Sequence, residues 1–164
     1  MTTKEVADKI MNHMAKQNAK PNHAFGVHQL NMGLFSRANP KEQDLIIPAI
    51  ESLVQQQFVT IEDRHGSSLV LTQHGYEQLY PVNSGTNDKL GKMIMDWFAK
   101  QHSRPNHTLD FRNLQFTVID KLNPKEREML PDAIEALVAK GLITEENRNG
   151  ECLVLTQKGY DTIY

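Results

Sequence analysis

The chain has 164 residues, 39% of them apolar, with 18 Lys and Arg against 20 Asp and Glu and a formal net charge of -2. A mean hydropathy of -0.52 and a pI of about 6.4 complete an ordinary globular composition, which excludes a disordered chain and argues against a protein coated in positive charge. No apolar run approaches the roughly 18 residues of a membrane-spanning helix, the polar opening Met1-Thr2-Thr3-Lys4 argues against a secretory signal, and the single cysteine, Cys152, leaves no intrachain disulfide or cysteine-rich zinc site and points to the cytoplasm.

The first helix is predicted over residues 4–17, where Val6, Ile10 and Met14 recur at i, i+4 and i+8. Pro21-Asn22-His23 breaks it, and Ala24-Phe25 follows as a short extended piece. A second helix is expected over residues 27–37, with Leu30, Leu34 and Phe35 apolar. Asn39-Pro40-Lys41-Glu42 is a strong helix start: Asn as N-cap, Pro at the first helical position, and Glu to complete a capping box. The third helix then carries Leu45, Ile46, Ala49, Ile50, Leu53 and Val54 as one apolar stripe. A kink or short break is expected at Pro48, with the helix restarting there. A hairpin follows, residues 58–63 and 68–72 flanking Arg64-His65-Gly66. A last short helix spans residues 73–80. Thr72 is its cap, and Tyr76, Leu79 and Tyr80 close the core.

The pattern then repeats. Leu69-Val-Leu-Thr-Gln-His-Gly-Tyr-Glu-Gln-Leu-Tyr80 recurs as Leu153-Val-Leu-Thr-Gln-Lys-Gly-Tyr-Asp-Thr-Ile-Tyr164, an offset of 84 residues. The same offset aligns Pro21-Asn22-His23 with Pro105-Asn106-His107, and Asn39-Pro40-Lys41-Glu42 with Asn123-Pro124-Lys125-Glu126. About 30 of about 77 aligned positions are identical, without a gap. The reading is therefore two copies of one domain, residues 1–82 and 88–164, joined by a turn-forming linker at 83–87. In the second copy Leu90, Ile94 and Phe98 mark the first helix over residues 89–101. Asp110 is a plausible cap for the second helix, Pro131 repeats the expected kink, and Asn147-Arg148-Asn149-Gly150 is a tight-turn signal. The fold class is α+β, mostly helical.

Helix, short strand, helix, helix, hairpin, short helix is the order of a winged helix-turn-helix domain. Residues 133–143, Ala-Ile-Glu-Ala-Leu-Val-Ala-Lys-Gly-Leu-Ile, resemble a recognition helix running into the first wing strand. Leu155-Thr156-Gln157-Lys158-Gly159-Tyr160 is similar to the Leu-Thr-x-x-Gly that closes the wing in the MarR and PadR regulator families. The resemblance covers both copies and implies two tandem winged-helix domains. Those regulators dimerise through long terminal helices, and here each copy ends soon after its wing. Tandem winged helices with short ends also occur in proteins that bind proteins, such as accessory subunits of condensins and of endosomal sorting complexes.

The candidate DNA contacts are basic or polar. Arg64 and His65, with Arg148 and Asn149, occupy the two wing tips, and arginine is suited to a narrow minor groove. Lys20, His28, Arg104 and Arg112 lie at the corner between the first two helices, where they could meet phosphates. On the third helix the outward positions are 41, 44, 48, 51 and 55. They read Lys41, Asp44, Pro48, Glu51 and Gln55 in copy one, and Lys125, Glu128, Asp132, Glu135 and Ala139 in copy two. The acids Glu128, Asp132 and Glu135 are poor company for the phosphates that flank a major-groove helix, so any DNA contact by this helix falls to Lys41 and Gln43. The acidic stripe is instead a candidate seat for a basic protein partner, and Trp97 is a second candidate interface residue. His23, His107 and Cys152 read as structural, since one histidine per copy is not a metal site.

No Gly-rich phosphate loop or catalytic motif occurs, so neither enzyme activity nor a cofactor is expected. The leading expectation is a small regulator binding duplex DNA. The alternative is a protein-interaction scaffold that uses the acidic face of the third helix. A homodimer is compatible with both, and a membrane partner with neither.

Overall fold

Thr2 opens the first helix of the protein's computed structural model, which describes residues 1–64 and 66–164. Its hydroxyl accepts from the Glu5 amide while the Glu5 carboxylate accepts from the Thr2 amide, a reciprocal closure of two free donors. Helix α1 (Thr3–Lys16) buries Val6, Ile10 and Met14 completely. Strand β1 (Ala24–Gly26) leads directly into α2 (Val27–Leu34), which is three residues shorter than expected and buries Leu30. Asn39 caps the next helix through a second capping box with Glu42.

The break in the third helix falls before Pro48, not at it. Helix α3 (Pro40–Gln43) ends, and α4 (Ile46–Gln55) begins two residues before the proline. Proline lacks the N–H that would reach the carbonyl four residues back, and its ring crowds that carbonyl. That residue is Asp44, which lies inside the break. Strands β2 (Val59–Asp63) and β3 (Ser67–Leu71) form an antiparallel hairpin, and β1 pairs with the other edge of β3, Ala24 opposite Val70. The sheet order is therefore β1-β3-β2. Helix α5 (Gln73–Leu79) closes the unit, with Tyr76 and Tyr80 buried.

The chain divides into two compact units, Met1–Pro81 and Val82–Tyr164. The second opens on α6 (Thr86–Lys100), three residues earlier than its periodicity suggested. Thr86 and Asn87, read from sequence as linker, are helical because Thr86 and Asn83 exchange hydrogen bonds and Thr86 is buried. Strand β4 (Thr108–Asp110) follows, then α7 (Phe111–Thr117), whose Asp110 cap accepts from the Asn113 amide at 2.7 Å. A short 3-10 turn, Ile119–Lys121, leads to α8 (Pro124–Ala139).

Helix α8 runs unbroken through Pro131, against the expectation of a kink or break. Its first turn is tied down: Lys89 forms an ion pair with Glu126, and the Arg127 Nε donates to the carbonyls of Ile119 and Leu122. In the first unit the position equivalent to Lys89 is Glu5, which cannot pair with Glu42. The second sheet, with strands β5 (Ile143–Asn147) and β6 (Glu151–Leu155), has the order β4-β6-β5, and α9 (Gln157–Ile163) follows it.

The Leu-Thr-x-x-Gly motif is explained by packing. The Thr72 hydroxyl accepts from the Gly75 amide at 2.9 Å and donates to the Phe58 carbonyl at 3.0 Å. Thr156 does the same with Gly159 and Leu142. A Cβ on Gly75 would lie 2.0 Å from the Phe58 carbonyl oxygen, and one on Gly159 would lie 2.0 Å from that of Leu142. The motif thus locks the last helix onto the start of the wing, and its residues are occupied in the fold. Each unit ends alike: the Tyr80 hydroxyl donates to the Ala15 carbonyl, and the Tyr164 hydroxyl to that of Ala99.

Candidate interaction surfaces

The wing tips are built by turn chemistry before any ligand is considered. Gly66 and Gly150 have φ of 109° and 131°, and Asn149 has φ of 57°, in the left-handed region that Gly and Asn tolerate best. Side chains one step upstream finish the turns, Asp63 accepting from the Gly66 amide and Asn147 from the Gly150 amide. Asn149 is thereby accounted for by backbone geometry. His65 lies outside the described residues.

The two wing arginines are engaged within their own hairpins. Arg64 Nε lies 2.7 Å from Glu62 Oε2, and Arg148 Nε lies 2.5 Å from Glu146 Oε2. These pairs are roughly half exposed, so each is worth at most about 1 kcal/mol. Even so, they set a carboxylate beside each cation that a phosphate would have to meet. Gln43 is also engaged, its amide donating to the Ala38 carbonyl at 3.0 Å. Lys41, Lys20, His28, Arg104 and Arg112 are exposed, and among the described residues no ion pair joins them to a carboxylate.

The third-helix faces turn mainly acids toward solvent beyond their first turns, where Lys41 is exposed. Asp44, Pro48, Glu51 and Gln55 are exposed in the first unit, and Glu128, Asp132, Glu135 and Ala139 in the second. No Lys or Arg occurs from residue 42 to 63 or from 128 to 139. At the start of α8, Lys125 Nζ lies 3.9 Å from Glu128 Oε2, and Arg127 is turned onto backbone carbonyls.

Sequence reasoning missed the apolar part of this surface. Ile47 is 68% exposed and Met32 67%. Both line a cleft of about 500 Å³ between α2 and α4, which Val27, Phe35, Ile46 and Ile50 also line. At the equivalent position of the second unit, Phe116 is 67% exposed on α7. The signal was present in the repeat: Met32 aligns with Phe116, and Val27 with Phe111, all apolar on the second helix.

A separate polar groove of about 600 Å³ in the second unit brings Trp97 together with Gln101, His107, Asn113 and Arg148. The sequence reading had placed Trp97 and Arg148 in different roles. Trp97 is half-buried against the core, with its ring edge-on to Phe98 at 5.3 Å. Cys152 is buried, its thiol donating to the Glu146 carbonyl. Among the described residues no group of three or more His, Cys, Asp or Glu could hold a metal ion, and no helix is long and apolar enough to cross a membrane.

No protein-family model and no curated protein matches the chain. Among solved structures it is similar to a chain of the endosomal complex ESCRT-II (VPS22/VPS25/VPS36), at 14% identity and a TM-score of 0.35. The match covers 96% of this chain and 65% of that one. The chain thus spans just under two thirds of that chain's length, and a likeness of this degree leaves the functional argument to the surfaces themselves.

Proposed function

We propose that the protein is an interaction module made of two tandem winged-helix units, and that it binds a protein partner through the exposed faces of α4 and α8. The element order, shared by both units, and the sheet order with its short first strand against the wing support the winged-helix part of this reading. The observation that carries the function is the chemistry of the two faces. A DNA-reading helix lies between two rows of phosphates, and B-DNA carries one negative charge per roughly 1.7 Å of axis. Here the first unit offers Asp44, just before α4, and Glu51 on it, and α8 offers Glu128, Asp132 and Glu135, against Lys41 and Lys125 at the helix starts, the latter 3.9 Å from Glu128. Acids can accept from cytosine N4, but a stripe in which acids outnumber cations repels the backbone on both sides. The exposed Ile47 and Met32 add apolar surface suited to a protein partner.

The test is fluorescence anisotropy with labelled mixed-sequence duplex DNA at about 50 mM salt, on the native protein and on Glu128→Gln/Asp132→Asn/Glu135→Gln. The expected result is no salt-sensitive binding by the native chain. Tight binding that falls steeply with salt, and is equal or stronger in the triple variant, would overturn the proposal in favour of a DNA regulator reading through other surfaces.

A further inference from the structure

We infer that the polar groove of the second unit binds an unpaired nucleotide, with the base laid on Trp97 and the phosphate held by Arg148. No residue of α8 lines this groove, so the site is separate from the protein-binding face proposed above. The groove is about 600 Å³ and is bordered by the end of α6, strand β4, helix α7 and the second wing tip. That volume is within the range of small-molecule sites. Ser103 lines it although only 2% exposed, and its hydroxyl makes no hydrogen bond among the described residues. Buried polar groups are normally paired, and here a ligand atom completes the pairing. The side chains of Gln101 and His107, also in the lining, have no hydrogen-bond partner among the described residues either.

The repeat shows what the second unit adds. Gln101, His107 and Arg148 stand where the first unit has Gln17, His23 and Arg64, whereas Trp97 and Ser103 stand where it has His13 and Ala19. In the first unit the wing arginine reaches the Asn22 carbonyl at 3.5 Å, and His13 lies edge-on to Phe25. The second unit keeps the polar frame and adds an indole and a buried hydroxyl to it.

The lining selects the ligand. No carboxylate lines the groove. Glu146 pairs with the Arg148 Nε at 2.5 Å but lies outside the lining, which leaves the two terminal guanidinium nitrogens for an anion. Around the groove Lys100, Arg104 and Arg112 are exposed, with no ion pair among the described residues. Asp96 and Asp110 are exposed there too, and Asp110 is already held by the amides of Asn113. A base of any identity stacks on an aromatic ring, and carboxamides such as that of Gln101 pair with base edges. A neutral sugar or a proline-rich peptide would leave the guanidinium without an anion. A phosphate alone would leave the indole and the Ser103 hydroxyl unused. Bases inside a duplex are stacked and paired, so the ligand is an unpaired nucleotide, free or within a single strand.

Trp97 is the one tryptophan of the chain, so its fluorescence reports the stacking directly. The full chain is titrated at about 50 mM salt with AMP, ribose 5-phosphate, maltotriose, a short oligo(dA) strand, and that strand annealed into a duplex. AMP is expected to quench Trp97 saturably, with ribose 5-phosphate at least about tenfold weaker. Ser103→Ala, which installs the first unit's residue, should weaken AMP about threefold to tenfold. Arg148→Ala should weaken it about tenfold and remove most of its salt dependence. Both variants should keep the melting transition, since Ala19 is buried at the equivalent position and Arg148 is exposed. Glu128→Gln/Asp132→Asn/Glu135→Gln should leave AMP binding unchanged. Oligo(dA) binding no tighter than AMP assigns the site to free nucleotides, and binding more than about tenfold tighter assigns it to single strands. Absence of saturable quenching by both AMP and oligo(dA) overturns the inference. So does ribose 5-phosphate, maltotriose or the duplex binding as tightly as the nucleotide ligands, and so does AMP binding indifferent to both Ser103→Ala and Arg148→Ala.

Discussion

Replacing Gly159 by alanine should destabilise the second unit, although alanine is the better helix former. A methyl there would lie 2.0 Å from the Leu142 carbonyl oxygen, 3.0 Å from its carbon and 2.8 Å from Leu155 Cδ1. The leucine can turn aside, but the carbonyl is held: it accepts from the Thr156 amide at 3.2 Å, and the Thr156 hydroxyl, whose one proton is nearer the Gly141 carbonyl at 2.7 Å, lies 3.0 Å from it. Overpacking of this kind costs about 1–3 kcal/mol, and stretching the amide hydrogen bond costs about 0.5–1.5 kcal/mol. The gain in helix propensity returns at most about 1 kcal/mol. The net loss is about 1–3 kcal/mol, which for a unit of this size lowers Tm by roughly 5–20 °C. Trp97, the one tryptophan of the chain, packs on the core of this unit, so its fluorescence during heating or urea unfolding reports the transition. Gly33→Ala, in the first unit, is the control, with its transition followed by far-UV circular dichroism. It lies inside α2 with nothing within 4 Å of the added methyl, and should stabilise by up to about 1 kcal/mol. An unchanged or raised Trp97 midpoint in Gly159→Ala would refute the steric account of the Leu-Thr-x-x-Gly motif.

Two further outcomes test the caps and the ionisable core. Asn123→Ala leaves the Glu126 amide without its acceptor and should cost about 1 kcal/mol, read as a lower urea midpoint with an unchanged slope. Burial pushes the Tyr80 hydroxyl above its ordinary pKa of 10.0, so the folded state favours the neutral phenol. That contribution is complete below pH about 10 and is lost as pH rises through the folded-state pKa. Alkaline unfolding of the native chain should therefore include a step that Tyr80→Phe removes, while the same variant is less stable at neutral pH by about 1 kcal/mol for the lost bond to the Ala15 carbonyl.

The sequence alone determined the local structure, because local signals are written in neighbouring residues. Asn39 and Asn123 each close the capping box that their spacing to glutamate requires. Val6, Ile10 and Met14 lie on the buried side of α1 as their period demands, and Gly66, Asn149 and Gly150 sit at the positive φ their turns need. Tertiary structure decided what depends on residues far apart in the chain. Two prolines one alignment position apart gave opposite results: in α8 Lys89 pairs with Glu126 and the Arg127 Nε reaches two carbonyls, Ile119 and Leu122, whereas the first unit has Glu5 at the position of Lys89 and its Gln43 amide reaches the Ala38 carbonyl alone among the described residues. The start of α6 depended on Thr86 folding back on Asn83. The surfaces followed the same rule. Arg64 and Arg148 read as free cations until the hairpins set Glu62 and Glu146 beside them. Ile47 and Met32 became one exposed apolar cleft only when α2 and α4 were packed side by side, because helical periodicity specifies which residues share a face but not which two faces meet.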